Sequence, residues 1–599
     1  MWPSTRGLVG LILSMSVLGS ASAADTVRSN PRAGIDYYIQ TYGRVAPADI
    51  PDVYAVFDKV RAVADRSSLV TSQLVVVADA KQASAFALSD GTIFLSKKAL
   101  AIIRESASAE ESQARLAFVL GHELAHLASN DFWDNQISQA LLDSSTAKEL
   151  TGVMDTSAGQ QKKELKADDQ GFLYAALAGY DVDSLLQTSR RNEDFLSFWN
   201  DKAGKRNDAN YPQPAQRTSM LRLRLKEMNG ALQYFNFGAR LMHFGRYREA
   251  IGFYREFQRQ FPGRELFNNL GYCQLHLAVN LLEPEFAYRY WLPMLSDLDT
   301  PLAKLTVRSA DSDRKQWRMP AAARENLLQA ARNFELAIEK DSEYSPSYVN
   351  LAVAQLLLGM DSSVARLHAV DGNHLLHAKI AIDSALKLQT DTQTQMLAAI
   401  IDWELQAGAK NQSAQLPLIA SSEINNPTVV YNLAKLTGND AVKSAPYWRQ
   451  LAMQFDSLPK KMQSLLCSRQ AYNADIKARC DTYVRVPPSI PMPWALPMKL
   501  SRDLVETPIT EAELRQNVWQ KNTLTSGTAF VGTKSAVLAL DDIATLIVLK
   551  RPIGNVDALT QCCAQPLEKI PVVNGTLWHY GRWIALVRES VVEEIWVTN

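Results

Sequence analysis

The stretch Phe118–Asp131 reads FVLGHELAHLASND. Only eight histidines occur among 599 residues, and two stand here four positions apart, with a glutamate after the first. Leu116, Val119, Leu120, Leu124 and Leu127 recur at three- and four-residue steps, the period of a helix, in a pattern that begins near Ala109. Residues i and i+4 share a helix face, so His122 and His126 can aim two imidazoles at one ion. Glu123 projects about 100° around the helix, within reach of a water at that ion rather than of the ion itself. A chance match or a hydrogen-bonded histidine pair has the same spacing, so the motif needs a second half.

KKELKADDQGFLYAALAGYD (Lys162–Asp181) supplies it. Helical spacing covers roughly Lys162–Leu177 and stops at Gly179. Glu164 and Asp168 are again four apart. Glu164 can provide a third metal ligand, and Asp168 can accept a hydrogen bond from a ligand histidine's other nitrogen, fixing its tautomer. Ala167 and Gly171 are small, which lets two helices approach. A catalytic zinc ion takes three protein ligands and keeps one open position, so the expected cofactor is one Zn2+ per chain held by His122, His126 and Glu164. Glu123 is the expected general base.

Upstream, Ser72–Ala80 is a β-branched run that predicts a strand, and Ser84–Leu100 predicts a hairpin around Ser89-Asp90-Gly91. The strand near Gly91–Ser96 is expected to edge the cleft and take an extended peptide by main-chain hydrogen bonds. Between the two halves of the site, Phe132, Trp133, Ile137, Leu141 and Leu142 suit either a flap over the cleft or a packed core helix. Ala203–Arg217 reads as a loop rich in turn residues.

His-Glu-Leu-Ala-His at 122–126, Glu-Leu-Lys-Ala-Asp at 164–168 and Ala-Phe-Ala-Leu-Ser-Asp-Gly-Thr-Ile-Phe at 85–94 resemble the M48 family of zinc metallopeptidases, in its exported form with a tetratricopeptide-repeat domain. The likeness covers about residues 30–225 well, the repeat region loosely and the last hundred residues not at all. It implies zinc on the two histidines and Glu164, and Glu123 as base. It further implies work in cell-envelope quality control, on unfolded or misassembled outer-membrane proteins. One departure stands out. Relatives often carry a histidine and a proline, with an arginine six residues after the histidine. Here the segment is YPQPAQR, with Tyr211 in the histidine's place and Arg217 in the arginine's. Either Tyr211 or Arg217 is a candidate donor to a developing oxyanion; the alternative is that Tyr211 packs the loop.

The first residues carry Arg6, an apolar run from Leu8 to Leu18 and Ala21-Ser22-Ala23, which predict a signal peptide cleaved near Ala23. The expected location is periplasmic; an uncleaved inner-membrane anchor is the alternative. An oxidising compartment permits disulfides, and Cys467 and Cys480 flank a short segment that could be bridged. Adjacent Cys562 and Cys563 are not expected to pair readily with each other, and Cys273 is expected buried and free. Lys+Arg and Asp+Glu are both 63 and no basic stripe is visible, which argues against nucleic acid as a partner.

From Gln233 the pattern changes. Phe237-Gly238, Leu241, Gly245, Tyr247, Ala250-Ile251, Tyr254, Phe257 and Pro262 fall at the small, aromatic and proline positions of a 34-residue helix–turn–helix repeat, and look like a tetratricopeptide repeat. A second unit opens with LFNNLGYCQLHLA (Leu266–Ala278) and is interrupted by about 45 residues of less regular sequence. The phase returns at Ala330, Phe334 and Ala337, continues through Tyr348–Gly359 and Ala378–Ala385, and reappears in TVVYNLAKLTG (Thr428–Gly438). Val484–Pro497 is proline-rich and reads as a stiff linker; short β-branched runs then fill residues 500–599.

The expected architecture is therefore a signal peptide (1–23), an α+β zincin-like peptidase domain (24–228), an all-α repeat domain (229–484), a linker (485–499) and a small β-rich domain (500–599). The expected function is an exported zinc metalloendopeptidase. Its repeats would engage unfolded substrates or an outer-membrane assembly machine, with peripheral membrane association. The rival is a repeat scaffold or chaperone-like assembly factor in which peptidase activity is minor or latent.

Overall fold

The computed structural model describes most residues from 39 to 598; residues 1–35, 130–156, 187–194, 203–213, 296–318, 362–372, 408–425, 482–519 and several shorter stretches are not described. The signal peptide, the Phe132–Leu142 segment, Tyr211 and the proline-rich linker fall outside the described residues. The chain divides into two compact units. The first runs to Ala64 and resumes over Ser68–Leu223; the second comprises Asp65–Ser67 and Arg224–Asn599.

The first unit is mixed α and β. Strands β1 (Gln73–Val77), β2 (Ala85–Ala87) and β3 (Thr92–Ser96) form a sheet in the order β1-β3-β2. β2 and β3 are the expected antiparallel hairpin, while β1 pairs with β3 in parallel. That pairing corrects one expectation. β3 is the middle strand, hydrogen-bonded on both sides, so it presents no free edge to a peptide. Arg44 makes an isolated bridge to the end of β1 at Val77, and β1 and β2 are the outer strands of the sheet. Helix α1 (Pro51–Val63) buries Val53, Val56, Phe57 and Val60, the i, i+3, i+4, i+7 stripe of an amphipathic helix. Ser96 accepts hydrogen bonds from the N–H of Ala99 (3.1 Å) and of Ser84 (2.9 Å). It thereby caps helix α2 (Lys97–Arg104) and ties that helix to the hairpin.

Helix α3 (Ala109–Ser129) is buried almost without interruption from Ala114 to Leu127, so it is the centre of this unit rather than a surface helix. Helix α4 (Ser157–Leu177) packs along it. Arg115 of α3 is buried, donates to the carbonyl of Glu105 (3.0 Å) and lies 5.0 Å from the ring of Phe195 in helix α5 (Phe195–Lys202).

The second unit opens within helix α6 (Pro214–His243) and continues through α7 (Tyr247–Gln258), α8 (Arg264–Leu281), α9 (Ala321–Lys340), α10 (Ser345–Gly359), α11 (His374–Leu388), α12 (Thr392–Ala407), α13 (Pro427–Leu436), α14 (Ala441–Met453) and α15 (Ala474–Cys480). Paired helices repeat one packing device: a glycine on the first against a large side chain on the second. A Cβ on Gly238 would stand 2.8 Å from Tyr254, one on Gly271 2.6 Å from Phe334, and one on Gly359 2.7 Å from Leu375. These close approaches explain the small-residue phase legible from Gln233 onward. α12 was not read from the sequence, where its apolar positions carry no glycine punctuation. Cys467 and Cys480 are disulfide-bonded, and Cys273 is buried and free. Cys563 is disulfide-bonded as well.

The C-terminal part is an eight-stranded antiparallel sheet: β4 (Gln520–Leu524), β5 (Gly527–Val531), β6 (Ser535–Leu540), β7 (Ile543–Asn555), β8 (Glu568–Val572), β9 (Gly575–His579), β10 (Trp583–Arg588) and β11 (Val591–Thr598). The order is β4-β5-β6-β7-β11-β10-β9-β8, so two meanders join where β7 pairs with β11. Helix α16 (Val556–Cys562) lies between β7 and β8 and adds Leu559 to a core with Val537, Ile547, Tyr580, Trp583 and Ile595. The end of α6 meets this sheet. The guanidinium of Arg240 donates to Glu594 (2.9 Å) and lies over the Trp596 ring, whose N–H also donates to Glu594 (2.7 Å).

Candidate metal centre

The site exists because α3 and α4 cross at two glycines. A Cβ on Gly121 would stand 2.8 Å from the carbonyl oxygen of Gly171, and one on Gly171 would stand 2.7 Å from the backbone nitrogen of His122. No side chain fits between the helices at that level. The rings of Phe118 and Phe172 pack 4.4 Å apart beside the crossing. Gly171 was legible as a small residue facing the motif; Gly121 was missed, although a glycine inside an apolar helix next to His122 is the signal.

With the backbones this close, side chains within two turns of the crossing converge. Among the described residues, His122, His126 and Glu164 bring one donor atom each within 4.8 Å of one another. His122 Nε2 and His126 Nε2 are 3.1 Å apart, and the Glu164 carboxylate lies 3.4 Å from the first and 3.6 Å from the second. Donors at the corners of a tetrahedron with bonds of about 2.0–2.1 Å stand about 3.3–3.4 Å apart. The three distances bracket that edge. Two imidazole nitrogens and a carboxylate facing one point are lone pairs whose repulsion a cation relieves, so the donor set fits a divalent ion that takes nitrogen and oxygen ligands.

Asp168 stands behind the first ligand. It is fully buried, and its Oδ1 accepts from His122 Nδ1 at 2.9 Å. A carboxylate can only accept, so the proton sits on Nδ1 and the Nε2 lone pair is turned toward the centre. Burial opposes charge on His122, but its hydrogen bonds to Asp168 and Glu164, and their negative charge, prevail and raise its pKa to about 9.

Glu123 is buried in α3 directly after His122, on the neighbouring face of the helix. His126 keeps some exposure. Arg217 belongs to the first turn of α6.

A helix carrying two histidines and a glutamate, crossed by a second helix that brings a third ligand and an acid behind the first, defines a metallopeptidase. Residues 48–222 match the family model of peptidase family M48, and over these residues the chain carries an M48 peptidase domain. No curated protein matches the chain.

Proposed function

We propose that this protein is an exported zinc-dependent endopeptidase that cleaves unfolded or misassembled envelope proteins, with its helical repeats holding substrate or partner. The convergence of His122, His126 and Glu164 carries the reading, because three protein donors on one side leave the opposite side for water and substrate. When bound, the zinc ion supplies Lewis acidity, lowering the pKa of water and polarising a peptide carbonyl. The chain's own residues do the rest. Glu123 accepts the attacking water's proton and returns it to the leaving nitrogen. Asp168 holds the orientation of His122 and makes it a stronger donor. Arg217, at the start of α6, and Tyr211 are proposed as donors to the oxyanion.

Export is supported by the leader-like N-terminus and by the Cys467–Cys480 disulfide, a bond that oxidising compartments preserve. No helix among the described residues is long and apolar enough to cross a membrane. Metal analysis of the purified protein, paired with Glu123→Gln on an unfolded protein substrate, is the test. One zinc per chain and a fall of about 10²–10⁴ in kcat are expected. Cleavage that persists in the variant and ignores a chelator would leave the scaffold or chaperone role as the better account.

A further inference from the structure

Histidine is scarce in this chain, yet three of the eight, His368, His374 and His377, fall within ten residues. The peptidase centre uses two others, His122 and His126. His368 lies outside the described residues, and no part is assigned to it. His374 and His377 open helix α11, and two local devices fix where they point. Asn373 caps the helix, its side chain accepting from the N–H of Leu376 (3.3 Å). Gly359, at the end of α10, leaves room for Leu375, so the first turn of α11 sits tight against α10. Positions three apart share a helix face, with Cβ atoms about 5–6 Å apart. The two rings stand 6.5 Å apart, edge to face.

A hydrogen bond behind the first ring separates this pair from scattered surface histidines. His374 is half-buried, and its Nδ1 lies 2.7 Å from Oε1 of Gln355, a buried residue of α10. An amide oxygen only accepts, so the proton sits on Nδ1 and the Nε2 lone pair is left for another partner. Asp168 serves His122 in the same way at the peptidase centre, with a carboxylate in place of the amide. His377 is exposed, and no hydrogen bond or ion pair ties its ring down among the described residues. Two ring nitrogens on one ion, with bonds of about 2.0–2.1 Å, stand about 3.3 Å apart. His122 and His126 come close to that spacing with their rings 4.8 Å apart. A turn of the exposed His377 ring toward His374 closes the remaining gap without moving the backbone. The charge of Arg324 is felt at His374, but Asp361 pairs with that guanidinium. The dipole at the start of α11 opposes a cation, so two imidazoles here bind more weakly than the three-ligand centre.

We propose that His374 and His377 form a second metal site, at the start of α11 among the repeat helices. It takes a divalent transition ion that favours imidazole, Zn2+ or, more tightly, Cu2+, with water filling the remaining positions. Gln355 is its positioning residue. The site is separate from the peptidase centre and fills only when free metal exceeds what that centre takes.

Equilibrium dialysis of the full chain against rising Zn2+ is the test. The peptidase centre contributes equally to parent and variants, so the difference reads this site alone, whatever becomes of the peptidase assignment. The parent is expected to take up one equivalent more than His377→Ala. That variant changes an exposed ring and leaves the Gln355–His374 bond in place, so its loss of metal cannot come from misfolding. Cu2+ added to the zinc-loaded parent is expected to give an electron paramagnetic resonance spectrum with two nitrogen ligands, which His377→Ala loses. Gln355→Leu is expected to loosen Zn2+ at this site about 10–100-fold, and Gln355→Glu, which keeps the acceptor, to restore it. Equal uptake by the parent and His377→Ala overturns the proposal. So does a Gln355→Leu protein with the parent's affinity, since the bond behind His374 would then do nothing for the metal.

Discussion

His122 Nδ1 and Asp168 Oδ1 lie 2.9 Å apart, and no solvent reaches the aspartate. The bond joins two helices and sets which nitrogen of His122 faces the metal centre. Asp168→Asn keeps an acceptor of the same size but removes the charge that makes His122 a strong donor. Metal affinity should fall about 10–100-fold, read by competition with a chromophoric chelator. An unchanged affinity would remove Asp168 from the site.

The glycine crossing makes a sharper prediction about packing. Gly171→Ala puts a methyl 2.7 Å from the His122 nitrogen, where only backbone can give way. The helices must separate, at a cost of about 1–3 kcal/mol, and the three donors separate with them. Thermal stability and metal affinity should drop together. Gly230→Ala in α6 is the control: nothing lies within 4 Å of its Cβ, and alanine favours an exposed helix by up to about 1 kcal/mol. Equal melting temperatures for the two variants would contradict the crossing.

These contacts mark what was legible in the sequence. His122, His126, Glu164 and Asp168 lie on single helices, where periodicity fixes the face each side chain takes, so local spacing sufficed. The repeats were legible for a similar reason, since Gly238 meets its large partner Tyr254 on the very next helix, within one helix–turn–helix unit. The parallel pairing of β1 with β3 was not, because strand order depends on contacts that alternation does not encode. Nor was the burial of Trp291 among the repeat helices. Its partner Asn432 lies 141 positions away, and no local pattern announces a main-chain bond to a distant side chain.

The Cys467–Cys480 bond closes a loop with a sequence separation of 13, beside the cluster that holds Trp448, Phe455 and Ile476. By loop-closure entropy such a crosslink contributes about 3 kcal/mol. Cys467→Ser with Cys480→Ser should lower the urea midpoint accordingly and abolish the sensitivity of this part of the chain to reductant. A midpoint equal to that of the oxidised parent would show that the reduced chain keeps the same constraint.

His243, at the end of α6, supplies the pH dependence. Its ring lies 6.1 Å from Trp596, and its Nε2 is buried with no hydrogen-bond partner among the described residues. Burial, with repulsion from His579, holds its pKa at about 3, against about 6.5 in an unfolded chain. Around it stand His579, the Arg240–Glu594 pair and Trp596. Below pH 6.5 the unfolded state takes up a proton that the folded state refuses, so this contribution to stability falls as pH falls and levels off only near pH 3. Each pH unit in that window costs about 1.4 kcal/mol, or about 2 kcal/mol between pH 6.5 and 5. His243→Gln removes the titration while keeping a polar side chain of similar reach. The parent's unfolding free energy should drop more steeply than the variant's over that interval, by about that difference. Parallel pH profiles for the two proteins would mean that His243 is not held neutral where α6 meets the sheet.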